Sequence, residues 1–333
     1  MVTGAKPPVR VGNVSRPSLA FRPRTGAVGV CGQAGVAEPP AATNGREIDQ
    51  RNFRARRADA VTLDIRIASY NIRKALGTDR RRDPERIASV IAALDADVTV
   101  LQEADLRLGA RPAALSAALI TSQTGLVPIE VARSPVSLGW HGNAILIRPT
   151  TKVVRIVHLD LPGLEPRGAL VADLDTATGP IRVAGVHLGL LRRSRRLQLT
   201  RLIGCLADLP PRPTIITGDF NEFSNTVGLG RLSRQFTLHM PGRTFHARKP
   251  FVALDRFVTN GLLDLRDMGV MHTPMTALAS DHLPIWARAV EAPAAVPLPD
   301  ETDHEPGKDS GPDSDAATER QDAEGRIDPA GDR

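Results

Sequence analysis

The chain has 333 residues, 41% apolar and 24% charged, which allows a sizeable buried core and excludes a wholly disordered, highly charged protein. Two cysteines, Cys31 and Cys205, exclude a disulfide-built scaffold and a zinc finger, and they point to a reducing compartment. The net charge of +6 is uneven: residues 1–60 carry roughly +6, residues 300–333 roughly −8, and the middle keeps roughly +8, which favours an anionic substrate.

Residues 1–60 lack hydrophobic periodicity and are dotted with Pro, Gly and Arg, so a disordered basic tail is expected there. Its use as a nucleic-acid tether competes with that of a bland leader. No continuous apolar stretch in 17–35 suggests a secretory signal, and no run approaches the roughly 20 residues of a membrane span. A transmembrane segment is therefore not expected, and a cytoplasmic location is.

From residue 61 the texture becomes that of a folded domain, expected to run over 61–291. Ile65–Asn71 reads as a buried strand ending in polar residues. Asp83-Pro84 opens a helix, an N-cap followed by proline at the first helical position, with Ile87, Val90, Ile91 and Leu94 on one face. Val98–Leu101 is the next buried strand. A second helix is expected near Pro112–Thr121. Strands follow at Asn143–Ile147, Lys152–Leu159, Ala169–Leu174 and Ile181–His187, the last two forming a hairpin across Thr178-Gly179-Pro180.

A helix carrying Leu197, Leu199, Leu202, Ile203 and Leu206 precedes the strand Thr214–Thr217. Further strands are expected at Leu254–Val258, Leu263–Met271 and Pro284–Val290. From 292 to 333 Pro, Asp and Glu dominate, and a disordered acidic tail is expected. A monomer is expected.

Polar residues sit where these strands run out. In Gly218-Asp219-Phe220-Asn221, an extended chain would turn Asp219 and Asn221 the same way, a pairing able to hold a water and a phosphate oxygen; a plain turn is the competing account. Ser280-Asp281-His282 offers a histidine titrating near neutrality beside an acid, or a polar turn. Glu103 ends an apolar strand and must be solvated, paired or metal-bound. Asn71 is a neutral donor or a turn residue. His187 is a phosphate contact or a hydrogen-bonded core histidine. Arg192, Arg193, Arg195 and Arg196 enter a helix together; on one face they would attract polyanions, and otherwise they are solvated.

Taken together, these motifs resemble the endonuclease/exonuclease/phosphatase superfamily, with its deoxyribonuclease-I-like fold, over roughly Leu63 to Ala289. The residues that carry the likeness are Ser69-Tyr70-Asn71, Gln102-Glu103, Gly142-Asn143-Ala144-Ile145-Leu146, His187-Leu188-Gly189-Leu190, Gly218–Asn221, Leu254-Asp255-Arg256 and Ser280–His282. Within it the chain is similar to small bacterial metal-dependent hydrolases.

The resemblance implies an α/β fold, a four-layer sandwich of two mixed sheets with helices outside. It implies a phosphoester hydrolase, a phosphodiesterase or nuclease type, acting on nucleic acid, a phospholipid head group or a small phosphorylated metabolite. Mg²⁺, or Mn²⁺, would be held by Glu103 with Asn71 and Asp281. Asp219 and Asn221 would orient the attacking water and the phosphate. His282, polarised by Asp255, would move the proton, and His187 would bind the scissile phosphate or assist the leaving group. Asn143 and Arg167 are further phosphate contacts. A histidine at 187 aligns the chain with the deoxyribonuclease and sphingomyelinase branches rather than with abasic-site endonucleases. The rival reading is a catalytically inert binding or scaffold protein on the same fold.

Overall fold

Alternating apolar residues set the architecture. In β1 (Asp64–Asn71), Ile65 and Ile67 face one way and Ala68 and Tyr70 the other, and all four are buried. A strand buried on both faces must sit inside a stack of layers. The structure, a computed structural model, describes residues 62–293 except 108, 225–231, 233 and 234. The tail expected at 1–60 and all but the first two residues of that expected at 292–333 lie outside the described residues.

The first sheet joins β1, β2 (Val98–Gln102), the short β3 (Val127–Pro128), β4 (Ala144–Ile147), β11 (Leu263–Val270) and β12 (Ile285–Glu291), in the order β11-β12-β1-β2-β4-β3. The second joins β5 (Lys152–Leu161), β6 (Arg167–Thr176), β7 (Gly179–His187), β8 (Thr214–Asp219), β9 (Phe236–His239) and β10 (Asp255–Asn260), in the order β5-β6-β7-β8-β10-β9. Both are mixed: β1 runs parallel to β2 and β7 to β8, while β1–β12 and β8–β10 are antiparallel.

The sheets meet over Ile65, Ile67, Val98, Val100 and Ile145 on one side and Leu170, Leu174, Ile181, Val183, Ile215 and Phe257 on the other. Truncating a fully buried member such as Ile67 to alanine should cost about 2–5 kcal/mol, because the layers cannot collapse around the hole. At Gly185 the sheets pack tightly: a Cβ there would stand 2.7 Å from Val100 Cγ1. Helix α1 (Pro84–Leu94) starts where expected, with the Asp83 carboxylate accepting from the Arg86 amide at 2.9 Å. Its Ile87, Val90 and Ile91 cover the outer face of the first sheet, together with Ile120 of α2 (Ala117–Thr124). On the outer face of the second sheet lie Leu199, Leu202 and Leu206 of α3 (Arg192–Ala207). Helix, sheet, sheet and helix make the expected four-layer α/β sandwich.

Three local expectations are corrected. Helix α2 begins at Ala117, not Pro112: Pro112 and Ala114 are tied to the segment after β2 by the bonds Leu106 N→Pro112 O and Ala114 N→Ala104 O, and Ser116 supplies the real cap. The β6–β7 hairpin turns at Ala177-Thr178, because Thr176 already pairs with Gly179. Arg195 does not share a solvent face with its neighbours; it is buried and bonds Glu222 at 2.8 Å, while Arg192, Arg193 and Arg196 are exposed. A short helix that the sequence reading passed over, α4 (Pro274–Ala279), carries a Thr273–Thr276 capping box and leads into Ser280. No helix among the described residues is long and apolar enough to cross a membrane.

Candidate active site

The periodicity that packs the sheets also delivers polar residues to one end of the seam between them. Ile65, Ile67, Ser69 and Asn71 share a face of β1, so the core-facing row ends in an amide. Val183, Gly185 and His187 do the same on β7, and Ile215, Thr217 and Asp219 on β8. Register then places the second-sheet residues side by side: His187 pairs with Asp219 across the parallel ladder, and Asp255 pairs with Asp219 across the antiparallel one. Gly218 is required for this, since a Cβ there would lie 1.9 Å from the Val186 carbonyl oxygen at a φ of +144°.

Asp219 is the hub. Its Oδ2 accepts from Asn71 Nδ2 at 3.0 Å, across the two sheets, and lies 3.4 Å from His187 Nε2 and 3.7 Å from His282 Nε2. Its Oδ1 accepts from the Asn221 amide at 2.9 Å. His282 reaches the seam from the loop after α4, fixed by Ser280, whose hydroxyl donates to the Asn71 carbonyl at 2.7 Å. The His282 Nδ1 lies 2.8 Å from Asp255 Oδ2, which orients Nε2 toward Asp219. Asp219, Asp255 and His282 are all buried, with ligand atoms within 4.8 Å of one another.

The charges follow from this packing. Burial pushes the Asp219 carboxyl up to about 6, the nearby His282 only partly opposing it. Burial pushes His282 down, but Asp255 and then Asp219 more than reverse this and raise it to about 9. Burial, with Arg167 and His282 adding repulsion, holds His187 well below its ordinary value. Near pH 7 the cluster therefore contains an ionised Asp219, a protonated His282 and a neutral His187.

Beside this seam lies the second group. Glu103 follows β2 at a φ of +53°, and its Oε2 is ion-paired with the Lys74 ammonium. Asp281 pairs with Arg73 Nε at 3.2 Å. The Glu103 and Asp281 side chains are 17% and 19% exposed, so both reach toward solvent. Burial, then repulsion from Arg107, brings Lys74 down to about 8. Asn71 Oδ1 accepts from the Arg73 amide at 3.1 Å.

Hard carboxylate and amide oxygens suit magnesium, and both carboxylates already attract cationic groups, so the donor set Glu103, Asp281 and Asn71 fits the ion. Among the described residues, Asp219, Asp255 and His282 are the group of three acids and histidines whose ligand atoms lie close enough together to hold a metal, though one nitrogen and an internal hydrogen bond suit magnesium less well.

A cleft of about 300 Å³ opens in front of His187 and Glu103, with Lys74, Arg167 and Arg107 in its walls. Arg167 donates to Glu165 Oε2 through Nε and Nη2, at 3.0 and 2.6 Å. Asn143 instead donates to the Gly168 carbonyl at 2.9 Å, a bridge between the sheets. Asn221 is not in an extended continuation of β8: at a φ of +49° it folds back, and its Nδ2 donates to the Leu188 carbonyl at 2.9 Å. The sequence reading passed over Arg107, Arg111, His141 and Glu165 as parts of the cleft. The arrangement puts one ionised carboxylate, one held imidazolium and a cationic wall together, a combination suited to attack at an anionic centre.

Comparison with known proteins agrees with the geometry. An endonuclease/exonuclease/phosphatase from Beutenbergia cavernae DSM 12333 is similar at 21% identity and a TM-score of 0.54, over 69% of this chain and 72% of that one. The human Nocturnin catalytic domain with a bound sulfate anion is similar at 20% identity and 0.54, over 70% and 97%. A mannosyl-6-phosphatase from Bacteroides thetaiotaomicron VPI-5482 is similar at 18% identity and 0.55, over 68% and 99%. At these identities the likeness shows the fold. No curated protein sequence matches. The profile of the Endonuclease/Exonuclease/phosphatase family matches residues 68–282, and the chain belongs to that family of phosphoester hydrolases.

Proposed function

We propose that the protein is a Mg²⁺-dependent phosphoester hydrolase of the phosphodiesterase type, with Mn²⁺ as a substitute. The observation that carries this reading is the hub at Asp219, a carboxylate with a raised pKa held between Asn71, His187 and a His282–Asp255 pair. A base that is ionised near neutrality yet still proton-hungry is what activation of water requires.

Glu103, Asp281 and Asn71 hold the ion in this reading. An ion held by these three residues would supply Lewis-acid polarisation of a phosphoryl oxygen. Asp219 takes the proton of the attacking water at Oδ2, and Asn221 fixes its other oxygen through the backbone amide. His282, protonated and held by Asp255, faces the charge that develops on phosphorus and can return a proton to the leaving oxygen. His187, kept neutral, offers Nε2–H at the mouth of the cleft. Arg167 adds positive charge to the wall. The folded domain is proposed to span 61–291, to act as a monomer, and to reside in the cytoplasm, a placement supported by the cysteine usage.

The test is turnover by the purified full chain with Mg²⁺, Mn²⁺ or EDTA against bis-p-nitrophenyl phosphate, plasmid DNA and sphingomyelin vesicles. Metal-dependent cleavage that Glu103→Gln abolishes is expected. Near-normal activity in a folded Glu103→Gln protein would remove the metal assignment, and no turnover on any substrate would favour a binding scaffold.

A further inference from the structure

The cleft holds more cationic side chains than its own carboxylates use. Arg167 is paired with Glu165, and Lys74 with Glu103. Asp105, the third acid in the wall, is occupied by backbone, accepting from the Leu138 amide at 2.6 Å and the Gly139 amide at 3.2 Å. Two arginines of the same loop meet these acids only loosely, Arg111 through its field on Asp105 and Arg107 through its field on Glu165 and a long contact with Glu103. Arg107 is 65% exposed, and its nearest carboxylate oxygen is Glu103 Oε1 at 4.0 Å, on a side chain that already holds Lys74.

Arg111 is half-buried at a φ of +55°, and its Nε is buried without a hydrogen-bond partner among the described residues. Guanidinium forks match phosphate oxygens better than any other side chain does.

The walls also say what the ligand lacks. No Phe, Tyr or Trp lines the cleft among the described residues, so the strongest stacking faces for a nucleobase are missing from its walls. A volume of about 300 Å³ sits at the small end of the range for compact ligands.

Resting on the phosphoester-hydrolase reading above, we propose that Arg107 and Arg111 form a second anion subsite beside the scissile position. The substrate is then a compact, non-aromatic phosphodiester carrying a further phosphate group, rather than a nucleic acid, and a sugar bisphosphate mimics its two neighbouring charges. The second phosphate takes the charge of the Arg111 and Arg107 guanidiniums, while His187 and Arg167 face the scissile one. The two arginines are specificity residues; proton movement stays with Asp219 and His282.

The test is calorimetric binding to the full chain in EDTA, so that neither metal chelation nor turnover intervenes. The probes are fructose 1,6-bisphosphate, fructose 6-phosphate and a ten-nucleotide single-stranded DNA. Wild type should prefer the bisphosphate over the monophosphate by about tenfold or more, a gain expected of two charge-assisted contacts. Arg107→Ala with Arg111→Ala should bring that ratio close to one, and Arg111→Lys, which keeps charge but loses the fork, should fall between. Arg193→Ala, on the exposed face of α3, should leave the ratio unchanged. Equal affinity for the two sugars in wild type, a preference that survives the double variant, or tighter binding of the DNA strand would each overturn the proposal. Turnover of bis-p-nitrophenyl phosphate with Mg²⁺ is read separately. A protein that hydrolyses it but shows no preference loses the subsite alone; one that shows the preference but never hydrolyses loses the hydrolase reading.

Discussion

The seam around Asp219 and the flank around Glu103 adjoin each other and are built on opposite principles. The seam is assembled by strand register: His187, Asp219 and Asp255 are ladder partners, and among the non-glycine residues of these motifs only Asn221 departs to positive φ. The flank is assembled by loops in left-handed backbone: Arg73, Lys74, Ala75, Glu103, Arg111 and His141 all have φ between 46° and 58°. Such residues cost energy that surrounding contacts must repay, and they cluster where function is placed. The seam is buried and internally paired, while the flank is more open and balanced by cationic side chains. Chemistry that must not vary thus sits on sheet geometry, and recognition sits on loops that can change without disturbing the ladders.

The sharpest way to break this division is to strike the hub. Asp219→Asn or His282→Ala should lower kcat by about 10³-fold or more while leaving the fold intact by circular dichroism, since each removes a proton-moving or charge-stabilising group. A loss below tenfold would mean that the seam is structural. Glu103→Gln should cost about 10²–10³-fold in activity and weaken Mg²⁺ binding in calorimetry. If metal affinity is instead lost in Asp255→Asn and kept in Glu103→Gln, the ion belongs to the seam and the division fails.

Acidity gives a third, milder test. Activity should fall below about pH 6 as Asp219 takes a proton and above about pH 9 as His282 loses one, roughly tenfold per pH unit on each limb. Stability follows a related course in EDTA. His282 is raised on folding, so its contribution is complete below its ordinary value near 6.5 and is lost as the pH climbs through about 9. Melting curves from pH 6 to 10 should therefore decline more steeply for wild type than for His282→Gln. The smallest effect belongs to the flank: Lys74→Ala should tighten Mg²⁺ binding only a few-fold, because a partly exposed ion pair is worth at most about 1 kcal/mol.

How much of this was legible follows the same line. The buried strands and α1 announced themselves through period-two and three-to-four spacing and through Asp83-Pro84. The polar ends of β1, β2, β7 and β8 were visible because a charge or amide closing an apolar run is unusual. Arg107 and Arg111 were not visible, since nothing in a run such as Leu106-Arg107-Leu108 tells that a non-glycine residue nearby will take positive φ. Arg195 read as surface because a buried arginine reveals itself only through its partner, Glu222, 27 residues away. Strand β9 is a half-buried edge strand of four residues and has too little alternation to register.

Gly185 carries a consequence for how such a protein tolerates change. Because a single missing methyl there sets how near β7 comes to Val100, the gap between Asn71 on one sheet and Asp219 on the other is a thickness fixed in the middle of the core. A wedge inserted at that point would act like a shim in a vice, leaving each jaw sound while their tips no longer meet. Damage far from the cleft would then appear as a protein that melts almost normally and does nothing.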